Sequence, residues 1–254
     1  MIATCAPRSS TSTWTRSATG RNGAVSPIPA TPKENKVIAG TSDAKKVETV
    51  GTKIKIAAEK WLNANGYNDY LKDYQWEYKL VENKEVNAWC MPGGKIVVYS
   101  GILPITKDDA GLATVMGHEV SHALANHGQQ RMSAGMLQQL GAVGVTAATG
   151  GKSAEVQQIA MTAYGATTEI GGMLPFSRSH ETEADKIGLT LMAIAGYNPE
   201  RAVEFWGRMS AASGGNKPAE FMSTHPSDET RIANLKKLIP VAKAEAAKFG
   251  VVFK

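Results

Sequence analysis

The chain has 254 residues, 43% of them hydrophobic and 20% charged, ordinary values for a globular protein with room for a sizeable core. Its formal net charge of +5 lies mostly outside the main body: residues 1–36 hold five basic residues and one acid, leaving 23 basic against 22 acidic residues for 37–254. That balance gives no support to a nucleic-acid or acidic-membrane partner, and two cysteines, Cys5 and Cys90, do not make a disulfide framework.

Residues 1–31 are rich in Ser, Thr, Arg, Gly and Pro with no helical or strand period. Residues 1–36 are therefore expected to be a disordered or loosely attached tail ahead of a single domain over 37–254. Val47, Val50, Ile54, Ala57, Ala58 and Trp61 follow helical spacing and predict a helix from about Asp43 to Asn65. Tyr74, Trp76, Tyr78 and Leu80 alternate with polar residues, as in a half-buried strand. Val86–Met91 and Lys95–Ser100 read as two more strands, with Pro92-Gly93-Gly94 turning the chain between them. Thr106 with Asp109 resembles a capping box that opens the next helix, expected to end near Gly128.

Two helical stretches follow, over about 133–149 and 153–171. A loop over Gly171–Pro175 then precedes a helix from about Ser179 to Ala195, stopped by Gly196. Asn198-Pro199-Glu200 and Ser227-Asp228-Glu229 start two more helices, and Pro240 is expected to restart the last one. The fold class read from this order is α+β, mainly α, with a small sheet of about three strands beside the helix that Thr106 opens. No segment reads as a membrane span: the best candidate, Met132–Gly151, has no charge but carries five glycines. Only four residues precede Cys5, too few for a secretory or complete lipoprotein signal.

The helix opened at Thr106 carries Gly117-His118-Glu119-Val120-Ser121-His122. Residues four apart share a helix face, so His118 and His122 can point two imidazoles at one metal ion. Glu119 sits beside the first of them, where a carboxylate can deprotonate a metal-activated water. A catalytic zinc takes three protein ligands, and the third is expected from Ser179-His180-Glu181-Thr182-Glu183-Ala184-Asp185. Glu181 can ligate the ion. Asp185, one turn on, can accept a hydrogen bond from the far ring nitrogen of a ligand histidine, His118 by preference. His127 lies about 140° around the helix from His122 at 100° per residue, so it is expected to face elsewhere, and His180 is expected to point off the ligand face. Glu183 is expected behind the ligands or on the surface.

These motifs, with Thr224-His225-Pro226 followed by Arg231, occur in the order seen in the CAAX-prenyl-protease/HtpX-type family of zinc metallopeptidases. The chain resembles that family over about residues 40–240, and within it the soluble bacterial BepA-like and LoiP-like branch. The resemblance implies a zincin-like domain with one Zn2+ per chain held by His118, His122 and Glu181. It implies an endopeptidase acting on unfolded or misfolded, envelope-type polypeptides, and a periplasmic or outer-membrane-associated location. Peripheral membrane association is compatible with it. It brings His225 near the metal as a removable fourth ligand or a donor to the developing oxyanion, and gives Arg231 a charge-orienting role. It makes Lys95, Ile96, Val97, Val98 and Tyr99 the edge strand that pairs with an extended substrate. The competing expectation is a metal-containing, chaperone-like binding protein whose cleft is gated, with residues 132–172 as the cover.

Overall fold

The computed structural model describes residues 36–212, 221–222, 225 and 229–253. The expected tail, apart from Lys36, and the Ser227-Asp228 helix start lie outside these residues. Helix α1 (Ser42–Ala64) is capped by Thr41, whose hydroxyl accepts from the Ala44 N–H at 3.2 Å. Its buried face runs through Ala44, Val47, Val50, Ile54, Ala58 and Leu62. Gly51 on that face meets the ring of Tyr78, where a Cβ would come within 2.4 Å.

Four strands form a mixed sheet: β1 (Val37–Ile38), β2 (Glu77–Val81), β3 (Ala88–Met91) and β4 (Lys95–Tyr99), in the order β1-β2-β4-β3. β2 runs parallel to β4, and β3 is its antiparallel hairpin partner. Gly93 and Gly94 make the hairpin turn with φ of 88° and 87°, a region that favours glycine. This order corrects the expected substrate strand. Lys95–Tyr99 has a neighbour on each side and is buried at every position, so it has no free edge. Among the described residues, the open edge beside the helix that bears His118 belongs to β3. An unbroken apolar run such as Ile96-Val97-Val98 is what a strand buried on both faces presents, whereas a strand with one face in solvent alternates.

Beyond the short helix α2 (Leu103–Thr106), α3 (Asp109–Leu124) begins at Asp108, whose carboxylate accepts from the Gly111 N–H at 2.8 Å. The cap is thus Asp108, not Thr106, because Thr106 closes α2 and donates its hydroxyl proton to Leu103 O. α3 stops at Leu124, earlier than Gly128. Asn126 adopts a left-handed conformation (φ 56°), and α4 (His127–Thr149) sets off in a new direction. α4 and α5 (Ala154–Thr168) form a hairpin whose exposed face includes Met136, Leu137, Leu140, Val143 and Ile159. Residues 171–175 are not a loop: Glu169–Met173 forms a π-helical turn that runs into α6 (Leu174–Ile194). α7 (Glu200–Ala212) and α8 (Glu229–Ala247) complete the described elements, and α8 continues through Pro240 instead of restarting there.

The main apolar cluster draws on α1, β2–β4, α3, α6, α7 and α8. α3 lies at its centre and is buried along nearly its whole length. α3 and α6 cross at Gly117 and Gly188, where a Cβ on either residue would stand 3.0 Å from the other helix's backbone. This contact brings Glu181, two turns away on α6, over the HExxH face. Gly188→Ala is expected to destabilise the fold by about 1–3 kcal/mol by overpacking and to weaken metal binding by displacing Glu181. Denaturant unfolding and zinc titration of the variant check both.

Candidate metal centre

His118 and His122 project from successive turns of α3, as the four-residue spacing requires. Their Nε2 atoms are 3.1 Å apart. Glu181 of α6 places Oε2 3.3 Å from His118 Nε2 and Oε1 3.3 Å from His122 Nε2. His225 places Nδ1 3.0 Å from both Glu181 oxygens and 3.2 Å from His118 Nε2. One donor atom from each of these four buried residues lies within 4.8 Å of the others. Zinc ligands at 2.0–2.1 Å in a tetrahedron stand about 3.4 Å apart, so the observed spacings match that ion to a few tenths of an ångström.

The electrostatics favour a cation at the centre. Burial works against a charge on His118, but hydrogen bonds to Asp185 and Glu181 outweigh it and raise its pKa to about 9. Burial also opposes ionisation of Glu181, yet hydrogen bonds with His118, His122 and His225 hold its carboxyl far below the usual range. His122 is pushed the other way, chiefly by burial, so its imidazole is neutral with a lone pair to offer. A site that stabilises an excess proton this strongly has the donors and the negative charge for a divalent cation.

Glu119 stands beside this cluster. Its Oε1 is buried without a hydrogen-bond partner among the described residues and lies 3.4 Å from His225 Nε2. Burial raises its pKa, with Coulombic interactions from the neighbouring His225 and His118 acting against the rise. A cavity of about 380 Å³ opens onto it, lined by Ala88, Trp89 and Cys90 of β3 together with Glu119, His122 and His225. The open sheet edge and the candidate base therefore face the same space.

Behind His118, Asp185 Oδ1 lies 3.1 Å from His118 Nδ1. Arg231 grips the same carboxylate with two hydrogen bonds, Nε to Oδ2 at 2.8 Å and Nη2 to Oδ1 at 2.7 Å. The guanidinium also stacks 3.6 Å over the Trp206 ring and donates to the His225 carbonyl at 3.3 Å. Arg231 thus reaches the cluster through Asp185 and the His225 backbone, and its Nη1 is 3.4 Å from Glu181 Oε2.

Two histidines expected to face away lie outside the ligand cluster, but His127 packs directly behind it. His127 Nδ1 is 2.8 Å from His122 Nδ1, and His127 Nε2 is 3.1 Å from Glu183 Oε2. The 140° rotation assumed one continuous helix. The left-handed turn at Asn126 breaks it and swings His127 back behind His122. His180 stacks on His127 with ring centroids 4.1 Å apart and planes 13° from parallel, and its Nε2 meets Gln130 Oε1 at 3.0 Å. The sequence signal that points to His127 is Ala125-Asn126: Asn is among the few residues that tolerate a left-handed backbone and end helices there.

The family described as Peptidase family M48 matches residues 57–239. The chain is 36% identical over 176 residues to a protein named mitochondrial metalloendopeptidase OMA1 from Schizosaccharomyces pombe, a match covering 69% of this chain and 50% of that protein. It is 34% identical over 204 residues to the Saccharomyces cerevisiae protein of the same name, covering 78% of this chain and 56% of the relative. The beta-barrel assembly-enhancing protease of Escherichia coli is 30% identical over 167 residues, covering 63% and 33%. The chain thus spans about half the length or less of these curated relatives. The expected periplasmic or outer-membrane location is overturned by them, because the relatives at 34–36% identity are named mitochondrial and the bacterial one is more distant. Among the described residues no helix is long and apolar enough to cross a membrane.

Proposed function

The chain belongs to peptidase family M48, and from that membership we propose that it is a zinc-dependent endopeptidase that hydrolyses peptide bonds of unfolded or misfolded polypeptides. The observation that carries this reading is the convergence of His118, His122 and Glu181 beside a buried carboxylate, Glu119, that is not one of the ligands. A purely structural metal needs no such base.

In this reading His118 Nε2, His122 Nε2 and the Glu181 carboxylate hold one Zn2+. When bound, zinc supplies Lewis-acid chemistry: it lowers the pKa of water toward neutrality and polarises the scissile carbonyl. Glu119 takes the proton of the attacking water on its carboxylate and returns it to the leaving amine. Burial raises its pKa above the ordinary carboxylate range, which favours uptake of a proton. His225, whose Nδ1 lies 3.2 Å from His118 Nε2 and 3.0 Å from the Glu181 oxygens, would offer the metal a fourth donor in this conformation. In this reading it would act as a removable ligand, and its ring could donate to the developing oxyanion once displaced. Asp185 orients His118, and Arg231 is a positioning residue that holds Asp185.

Substrate is held along β3 in place of the Lys95–Tyr99 strand. In antiparallel pairing, outward- and inward-facing backbone groups alternate. The Tyr99 N–H donates to Asn87 O at 3.0 Å, which makes Asn87 and Trp89 the residues bonded to β4 and turns the N–H and C=O of Ala88 and Cys90 to the open edge. The Asn87 side chain occupies the Ala88 N–H at 2.9 Å, leaving Cys90 as the main donor for an incoming strand. Cys90→Pro removes that donor and spares the β3–β4 ladder. It is expected to lower kcat/KM by about 2–10-fold, the worth of one hydrogen bond, with zinc content unchanged. Steady-state kinetics on a peptide substrate with metal analysis of the same sample checks it.

A second reading, a metal-containing protein that clamps unfolded chains with little cleavage, is favoured by the α4–α5 hairpin. Met136, Leu137, Leu140 and Val143, on a stretch without charge from Met132 to Gly151, and Ile159 of α5 are 62–69% exposed there. Digestion of an unfolded protein substrate, with and without chelator, separates the readings. The endopeptidase reading predicts cleavage that stops on chelation and returns with zinc. Cleavage that survives exhaustive chelation, or binding with no cleavage by the zinc-loaded protein, contradicts it.

A further inference from the structure

We infer that His127 and Glu183 form a relay that fixes the tautomer of His122 and so aims its Nε2 lone pair at the metal, a role resting on the reading of His122 as a ligand.

The inference follows from what each atom can donate. A carboxylate accepts hydrogen bonds and has none to give when ionised, so Glu183 Oε2, 3.1 Å from His127 Nε2, requires the proton of His127 on Nε2. In the neutral imidazole, the form the relay uses, His127 Nδ1 is then a bare acceptor. It lies 2.8 Å from His122 Nδ1, so His122 must carry its own proton on Nδ1 to fill that contact. With its proton there, His122 keeps a lone pair on Nε2, the atom that faces Glu181 Oε1 and His118 Nε2. One carboxylate at the rim thus determines, through two imidazoles, which nitrogen of His122 is basic. Moving the His127 proton to Nδ1 would move the His122 proton to Nε2 with it.

The surroundings hold the relay in register. His127 is fully buried, whereas the Glu183 side chain is 47% exposed, so the chain of contacts runs from solvent to the centre. His180 lies flat against the His127 ring and is itself anchored to Gln130, which limits rotation of the plane that carries both bonds. His122 thereby has on its far nitrogen what His118 has in Asp185: a partner that sets orientation and raises ligand basicity. The two supports differ in kind. Asp185 contacts its histidine directly, and Glu183 acts through a second imidazole.

His127→Phe keeps the ring stacked on His180 and removes both nitrogens, while Glu183→Ala removes only the exposed end of the relay. Zinc dissociation constants by chelator competition are expected to rise about 10–100-fold in His127→Phe and to rise by less in Glu183→Ala. His127→Asn, which restores an acceptor near His122 Nδ1, is expected to recover part of the loss. In the zinc-loaded wild type, imidazole 15N shifts should show His127 protonated at Nε2 and bare at Nδ1. The half-exposed Glu183 variant keeps the test usable if His127→Phe fails to fold. Unchanged zinc affinity in the folded variants, or a His127 proton on Nδ1, overturns the relay alone. A wild-type protein that takes up no zinc overturns the ligand reading and the relay with it.

Discussion

Glu119→Gln is expected to lower kcat/KM for peptide hydrolysis by about 10²–10⁴-fold, the range for loss of a positioned general base, and to leave zinc bound. The substitution preserves size and burial and removes only the ability to take a proton. Glu119 is outside the ligand cluster of His118, His122, Glu181 and His225, so the metal keeps its donors. Its Oε1 is buried and unsatisfied among the described residues, a costly arrangement that a purely structural role would not need. Kinetics with parallel metal analysis gives the answer. Wild-type turnover by a contamination-free Glu119→Gln preparation would remove Glu119 from its role.

The second large effect is on stability. Asp185→Ala leaves the Arg231 guanidinium, now 8% exposed, without the carboxylate it grips twice. Breaking a buried ion pair from one side costs about 3–5 kcal/mol, and the Glu181 carboxylate 3.4 Å from Arg231 Nη1 offsets part of that here. Zinc affinity should fall about 10–100-fold in the same variant through loss of the His118 partner. The double variant Asp185→Leu with Arg231→Met should recover much of the stability and none of the metal affinity, since it removes the stranded charge without restoring the contact to His118. Urea unfolding and zinc titration of the two variants read both quantities. Equal stability of Asp185→Ala and wild type would contradict the account.

The same pair sets a pH dependence. Burial works to raise the Asp185 pKa, but the hydrogen bond to His118 and the charge of Arg231 outweigh it, and the carboxyl titrates below its ordinary value. A depressed carboxyl stabilises the fold fully above its unfolded pKa of about 3.9, and that contribution disappears as pH falls through the lower folded value. Wild type and Asp185→Ala should therefore converge in stability under strongly acidic conditions.

The sequence was most legible where chemistry rides on one helix. His118, Glu119 and His122 follow from a four-residue spacing on α3, and Glu181 with Asp185 from the same spacing on α6, because the helical period is local and fixed. The helical weight of the chain and the presence of a small sheet were legible for the same reason, and family membership followed from the motifs in order. What failed required relations between distant segments. Strand order decides which strand is an edge, and nothing within Lys95–Tyr99 states that β2 will pair on its far side. His127 was misplaced by one left-handed residue, Asn126, since a rotation of 100° per residue holds only while the helix is unbroken. Residues 171–175 read as a loop because Gly171, Gly172 and Pro175 weigh against a helix, yet the π-helical turn carries the chain into α6 with the proline in its first turn, where no N–H is required. His225 follows no helical pattern with the other donors, and only the family resemblance brought it near them.

The most direct measurement is the X-ray absorption spectrum of the zinc-loaded wild type beside that of Glu181→Gln. The account predicts one zinc per chain with a nitrogen and oxygen shell at about 2.0–2.1 Å, at least two imidazoles in it, and a weakened or altered shell in the variant. A sulfur shell at about 2.3 Å, which would bring Cys90 to the ion, or an identical spectrum in Glu181→Gln, would contradict it.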